Sequence, residues 1–341
     1  MGNKLGVQTM QYKTPPYVVS SAAVVGDVEG QGPLGSYFDQ VLEDDMWGEE
    51  SWEKAERKMF EQSVRKVAYK TKLELSEVDC LLGDDLLNQI ISANFAAREL
   101  NIPFLGLYGA CSTMAESLLI GGMLMDTGFA KRAACVAASH FSTAERQYRM
   151  PLEMGVQPAP TTQRTATGAG CSILSDQLLQ NAQYRRVRVT HGTIGRVVDL
   201  GITDAANMGA AMAPAAADTL LTHFKDTGRS LRDYDLIVTG DLGSFGSDMF
   251  KSLCEDAGVR LGDRHQDCGN MIFHEAQKVV CGGSGCGCSA SVLNGYLLKR
   301  IKEGDFSRVL FIATGALMST TSGMQNDSIP GIAHAVVLER V

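Results

Sequence analysis

Apolar and polar positions along the chain follow two different periods. The valine-rich run Tyr17–Val25 has almost no polar break and predicts a strand buried on both faces. From Ser51 to Lys72 the period lengthens: Trp52, Ala55, Met59, Val64, Val67 and Ala68 fall on one stripe, as a helix requires. Asp79–Gly83 then predicts a short buried strand, Leu86–Leu100 a helix and Phe104–Tyr108 a strand. Ser112–Thr127 predicts a helix that is apolar almost all round (Leu118, Leu119, Ile120, Met123, Leu124, Met125) and therefore buried. Ala133–Ala138 and Gly168–Leu174 predict two more strands. Between them His140–Thr167, with Arg146, Arg149 and Arg164, shows little apolar periodicity, and a connection this long is either functional or disordered.

The second part of the chain repeats the first. Leu75–Leu86 matches Leu231–Leu242 residue for residue, so that Asp79 aligns with Asp235 and Asp85 with Asp241. Gly109–Cys111 matches Ser284–Cys286, and Ala133–Ala138 matches Arg308–Ala313. Each copy closes on a pair of strands, Gly168–Leu174 in one and His334–Arg340 in the other. The pattern predicts an α/β fold of two duplicated βαβαβαββ halves, residues 1–180 and 181–341, with the helix starts at Cys111 and Cys286 meeting at the centre.

Composition narrows the function. With 45% hydrophobic and 21% charged residues in 341, the chain builds an ordinary folded core. A net charge of −8, with no basic block longer than Tyr184–Arg188, argues against nucleic acid as a partner. No run approaches a membrane span and the start lacks a signal-peptide core, so an intracellular protein with reduced thiols is expected.

Among the 9 cysteines, Cys111 has the most chemical setting. It ends an apolar strand, follows the small pair Gly109–Ala110 and opens a helix, where N–H groups and the helix dipole favour a thiolate. The run Cys281–Cys288 holds three cysteines among glycines, but no second Cys/His cluster completes a zinc site. Its glycines also lack the spacing of a phosphate loop, so close approach of two helix ends is the favoured reading and no metal is expected. His140 lies at the C-terminal end of a strand, where sheets present residues to a crevice. Asp84, Asp85 and Asp241 end strands in the same way, with helix capping as the competing role.

Together these features resemble the thiolase-like superfamily, across essentially the whole chain. The resemblance implies an α/β/α/β/α layered body with a nucleophile at Cys111. It also implies two partners from the second half, either two histidines or a histidine and an asparagine. Those positions read Thr239–Leu242 and Gly283–Cys286 here and hold neither residue type. A condensing reaction loses several kcal/mol of barrier stabilisation with each such donor, so the expectation is a binding protein on an enzyme scaffold. The alternative is an acyltransferase using Cys111 with His140 as a substitute base.

A closer likeness is carried by Leu81–Ile91, Pro103–Thr113, Ser139–Arg146 and Thr167–Gly170. These segments are similar to the stage V sporulation AD family of spore-forming bacteria. That resemblance implies binding of dipicolinic acid, alone or as its calcium chelate, in uptake during sporulation and release at germination. It implies membrane proteins of the same operon as partners, no cofactor, and a place on the spore inner membrane, while the superfamily resemblance implies a homodimer joined at the sheet edge near Phe104–Tyr108. A flat dianion then calls for Arg146 or Arg164 on a carboxylate. Neutral donors would come from Ser139, His140, Ser284, Gly285 and Cys286 beside Cys111, and Asp84 or Asp85 would meet the calcium.

Overall fold

The computed structural model describes residues 2–148, 158–184 and 187–341, so Arg149, Arg185 and Arg186 lie outside the described residues. The first βαβαβαββ unit comprises β1 (Tyr17–Val25), α1 (Trp52–Thr71), β2 (Cys80–Asp84), α2 (Ile91–Leu100), β3 (Phe104–Gly106), α3 (Thr113–Asp126), β4 (Arg132–Ser139), the short α4 (Phe141–Tyr148) and β5 (Gly168–Ser175). The second comprises β6 (Val187–Thr193), α5 (Met208–Thr227), β7 (Leu236–Thr239), α6 (Gly243–Asp256), β8 (His265–Asp267), α7 (Cys286–Val292), β9 (Arg308–Ala316) and β10 (Gly331–Arg340). The strands follow the order β8-β7-β9-β10-β6-β1-β5-β4-β2-β3, and each half of that path has the same connectivity. Within each unit two neighbouring strands pair in parallel with the central one, and the last two pair antiparallel.

The repeat is held by matching hydrogen bonds. The Asp79 carboxylate accepts from the Lys131 and Arg132 N–H groups at 2.7 and 2.8 Å, and Asp235 accepts from Ser307 and Arg308 at 2.6 and 2.9 Å. A capping box precedes each, Glu74 with Glu77 and Ser230 with Asp233.

Three apolar clusters set the layering. One lies under α1 and α2, one under α5 and α6, and the largest lies between the two runs of strands around α3 and α7. This is the α/β/α/β/α body. The all-round apolar character of α3 follows from its place, since it packs on β4, β2 and β5 on one side and on β10, β9 and β6 on the other.

Element ends depart from the sequence pattern in three places. The helix expected from Leu86 begins at Ile91, because the Asp85 carboxylate takes the Leu87 and Ala93 N–H groups, both at 2.7 Å, and holds the intervening segment out of the helix. The strand expected at Phe104–Tyr108 stops at Gly106, and its chain turns toward Cys111. The region read as one loop, His140–Thr167, contains α4 and a two-residue strand, Arg164–Thr165, which pairs with Gly283–Ser284 of the second half.

Candidate functional site

A turn with a strained entry carries Cys111. Ala110 has φ of 49°, a left-handed conformation that a residue with a Cβ adopts at a cost, and the Ser112 N–H closes the turn on the Gly109 carbonyl at 3.0 Å. The turn fits because Gly315 of β9 passes directly beneath it. A Cβ at residue 315 would lie 2.5 Å from the Gly109 oxygen.

In front of Cys111 is a cavity of about 380 Å³, lined by the Asp84–Ile90 segment, Tyr108, Ala110, Ala144, Tyr148, Thr165, Met208, Ser284 and residues 316–319. Of the expected ligand-binding residues, Cys111, Asp84, Asp85 and Ser284 line it. Ser139, Gly285 and Cys286 stand behind it as a joint between the halves. The Ser139 hydroxyl donates to the Ala166 carbonyl at 2.7 Å and accepts from the Gly287 N–H at 3.0 Å, while the Cys286 thiol donates to the Ala138 carbonyl at 2.8 Å.

The other expected residues have different employment. His140 Nε2 pairs with the Asp45 carbonyl at 2.8 Å and Nδ1 accepts from the Ser142 N–H at 3.1 Å, so neither nitrogen reaches toward Cys111. Burial holds its imidazole below the ordinary range, in the neutral form. Arg146 pairs with Glu53 and stacks over Trp52 outside this cavity, and it lines an adjoining chamber of about 640 Å³ that shares Tyr148, Met318 and Ser319 with it. Arg164 stacks on Phe141, its guanidinium carbon 3.8 Å from the ring centroid. The cavity wall therefore has neither an arginine nor a lysine among the described residues.

Its electrostatics are acidic. Asp241, wholly buried, accepts from the Thr314 hydroxyl at 2.7 Å, the Ser284 hydroxyl at 3.0 Å and the Gly285 N–H at 2.9 Å, and it acts on the neighbouring Cys111 thiol. Burial, followed by the neighbouring Asp241 charge, pushes the Cys111 thiol well up, which reverses the thiolate expected from the helix start alone. Asp84 Oδ2 accepts from the Thr113 hydroxyl at 2.6 Å, whereas Oδ1 is buried with no partner. The Cys286 thiol lies beside Asp84, but its one hydrogen goes to the Ala138 carbonyl. Burial, reinforced by Asp85 and Glu116, lifts Asp84 far above the usual carboxylate range, and burial likewise pushes Asp85 up to about 6. Asp85 makes its hydrogen bonds to backbone N–H groups, which is the helix-capping role.

Asp241 and its partner Thr314 are the pair beside Cys111 that motif reading underweights. Asp241 is legible as the repeat mate of Asp85, but the contact with Cys111 requires the two halves to be docked. No group of three or more Asp, Glu, His or Cys among the described residues is arranged to hold a metal ion.

The family model of stage V sporulation protein AD matches residues 6–339. The chain belongs to the stage V sporulation protein AD family. Stage V sporulation protein AD of Bacillus subtilis (strain 168) is 45% identical over 335 residues, which cover 98% of this chain and 97% of that one. This sporulation protein has the fold of thiolase-like enzymes. 3-Oxoacyl-[acyl-carrier-protein] synthase III from Aquifex aeolicus VF5 aligns with a TM-score of 0.58 at 13% identity, covering 95% of this chain and 99% of that one. Human mitochondrial 3-ketoacyl-CoA thiolase aligns with the same TM-score of 0.58 at 12% identity, covering 96% and 99%.

Proposed function

We propose that this sporulation protein binds dipicolinate as its calcium chelate in the cavity before Cys111 and catalyses no acyl transfer. The observation that carries the reading is the acidic wall with one free oxygen, Asp84 Oδ1, and no cationic side chain. A free dianion finds no counter-charge on such a wall. Its calcium chelate is neutral, brings the ring nitrogen and two carboxylates as its own donors, and leaves calcium open to further oxygen ligands. A cavity of about 380 Å³ suits one small flat ligand. Arg146 and Arg164, engaged elsewhere, are not needed for such a complex.

The non-catalytic half of the reading rests on the state of Cys111. A nucleophilic cysteine needs a base or a nearby cation, whereas this thiol faces a carboxyl group and is held protonated. Isothermal titration calorimetry is expected to show saturable binding of calcium dipicolinate and at least tenfold weaker binding of dipicolinate with a chelator present, the factor of one calcium–carboxylate contact. Intact mass after incubation with acyl-CoA should show no adduct. Equal affinity for both forms overturns the chelate, and a stable acyl group on Cys111 restores the acyltransferase.

A second copy of the chain is the partner we assign to the β3 edge. That strand ends the sheet path, and Leu105, Tyr108, Ile91 and Phe95 are exposed around it, with Leu105 at 49% and Tyr108 at 64%. An open edge beside apolar side chains is a pairing surface, and a two-fold pair covers both edges at once. Leu105→Lys should convert a dimer into a monomer in sedimentation velocity at micromolar concentration. A wild-type chain that sediments as a monomer there removes this assignment. No helix among the described residues is long and apolar enough to cross a membrane. A role beside the membrane proteins of its operon, on the spore inner membrane, therefore requires peripheral attachment through them.

A further inference from the structure

One wall of the Cys111 cavity is a single short segment, and every residue from Leu86 to Ile90 lines it. Two successive residues in it are left-handed without being glycine: Gln89 with φ of 59° and Ile90 with φ of 47°. A β-branched side chain is among the worst suited to that region, so the segment stores strain. Ile90 is buried against β3, where a Cβ on Gly106 would lie 2.3 Å from its Cδ1, while Asn88 and Gln89 face solvent.

Leu87 is buried and Leu86 packs on the core, and the rest of the segment is held by hydrogen bonds to its backbone, among them one from the Asn94 amide to the Gln89 carbonyl at 2.6 Å. Asp85 bridges its ends, Oδ1 accepting from the Leu87 N–H and Oδ2 from the Ala93 N–H. The tip of α4 grips the middle: Gln147 Oε1 accepts from the Asn88 N–H at 3.1 Å, and its amide donates to the Leu86 carbonyl at 3.3 Å. The Tyr148 hydroxyl donates to the same carbonyl. A strained span clasped by a few polar bonds and ending on a buried anchor is built to swing about that anchor.

We propose that residues 86–89 form a flap over the Cys111 cavity, hinged at Ile90, and that Asp85 is a positioning residue which holds the flap down without touching the ligand. Strain at Gln89 and Ile90 favours opening, and the Asp85, Gln147 and Asn94 clasps and the burial of Leu87 oppose it. This rests on the cavity being the ligand site, so the test reads the flap with no ligand present.

The probe is N-ethylmaleimide, with labelling of each cysteine followed by peptide mass spectrometry. Cys111 lines the cavity, whereas Cys135 and Cys171 are wholly buried in β4 and β5 and react only when the whole fold opens. In Asp85→Asn an amide N–H₂ replaces one acceptor, so Cys111 should label about tenfold faster, the factor of one charge-assisted hydrogen bond, with Cys135 and Cys171 still protected. Gln89→Gly relaxes the closed conformation and should slow Cys111 labelling severalfold. Unchanged Cys111 labelling in a folded Asp85→Asn variant overturns the flap, as does Cys111 labelling only in step with Cys135 and Cys171. If Asp85→Asn opens the whole fold, Gln147→Ala weakens the other clasp and decides by the same comparison.

Discussion

Asp84→Ala is expected to lower the affinity for calcium dipicolinate by on the order of 10- to 100-fold, the range of one lost contact between a charged oxygen and a cation. Asp84 Oδ1 is the buried oxygen on the cavity wall with no partner, and natural folds rarely leave such an atom without a use. The dependence on pH gives the contact a signature. Burial raises the Asp84 pKa, so as pH falls the group takes up a proton that calcium must displace. Chelate affinity should therefore rise with pH, by up to about tenfold per unit while that proton is being released, and the slope should vanish in Asp84→Ala and in Asp84→Asn.

Stability should move the other way. A carboxyl whose folded pKa is raised contributes stability below its unfolded pKa, and that contribution is lost as pH rises through the folded value. Removing Asp84 thus relieves a penalty that grows with pH. Relative to wild type, the melting temperature of Asp84→Ala should improve from pH 5 toward pH 8 in scanning fluorimetry. A residue whose loss weakens binding while easing folding is retained for function. Wild-type chelate affinity in Asp84→Ala, or an unchanged pH slope in Asp84→Asn, would remove Asp84 from the site.

Much of the fold is legible because local rules and the repeat agree. Helix α1 starts where Ser51 accepts from the Lys54 N–H at 3.3 Å and ends at left-handed Lys72, and β1 spans the valine-rich run end to end. The duplicated Asp79 and Asp235 segments carry the strand order of both halves. Helix α4 is not legible, because the side it buries is polar: Thr143 bonds to buried Glu56 at 2.8 Å and Ser142 to Asp45 at 3.4 Å, so no apolar stripe marks it.

The site is legible in its strand ends and illegible in its charges. Asp84, Cys111 and Ser284 follow from their places at the ends of strands and at a helix start. The arginines do not, because Arg146 pairs with Glu53 and stacks over Trp52 on α1, far away along the chain. His140 reads as a free base until a loop brings the Asp45 carbonyl to it. The Cys111 thiolate fails for the same reason. A helix start acts over one turn, but burial, and after it Asp241 arriving from the other half, outweigh it.

Gly287→Ala should lower stability by about 4 kcal/mol, beyond the common range for overpacking, because backbone rather than a rotatable side chain stands in the way. A Cβ there would lie 2.3 Å from the Gly168 oxygen and 2.8 Å from the Ser139 nitrogen, and Ser139 and Gly168 are themselves a bonded pair of β4 and β5. Neither strand can retreat without moving the sheet, so α7 must lift. Gly170 repeats the constraint one step along, where a Cβ would meet the Ala290 oxygen at 2.2 Å. This accounts for the small-residue run Cys281–Cys288 as a close helix-on-sheet contact rather than a metal knuckle or a phosphate loop. Lifting α7 also draws Ser284 and Gly285 away from Asp241, to which they donate at 3.0 and 2.9 Å. Chelate binding should therefore fall even in the molecules that remain folded. Gly323→Ala is the control: nothing lies within 4 Å of a Cβ there, so stability should change by less than about 0.5 kcal/mol. Chemical denaturation of the two variants side by side decides the matter. If Gly287→Ala unfolds at the same midpoint as Gly323→Ala, the halves are not joined by this close approach and the glycines of the run need another explanation.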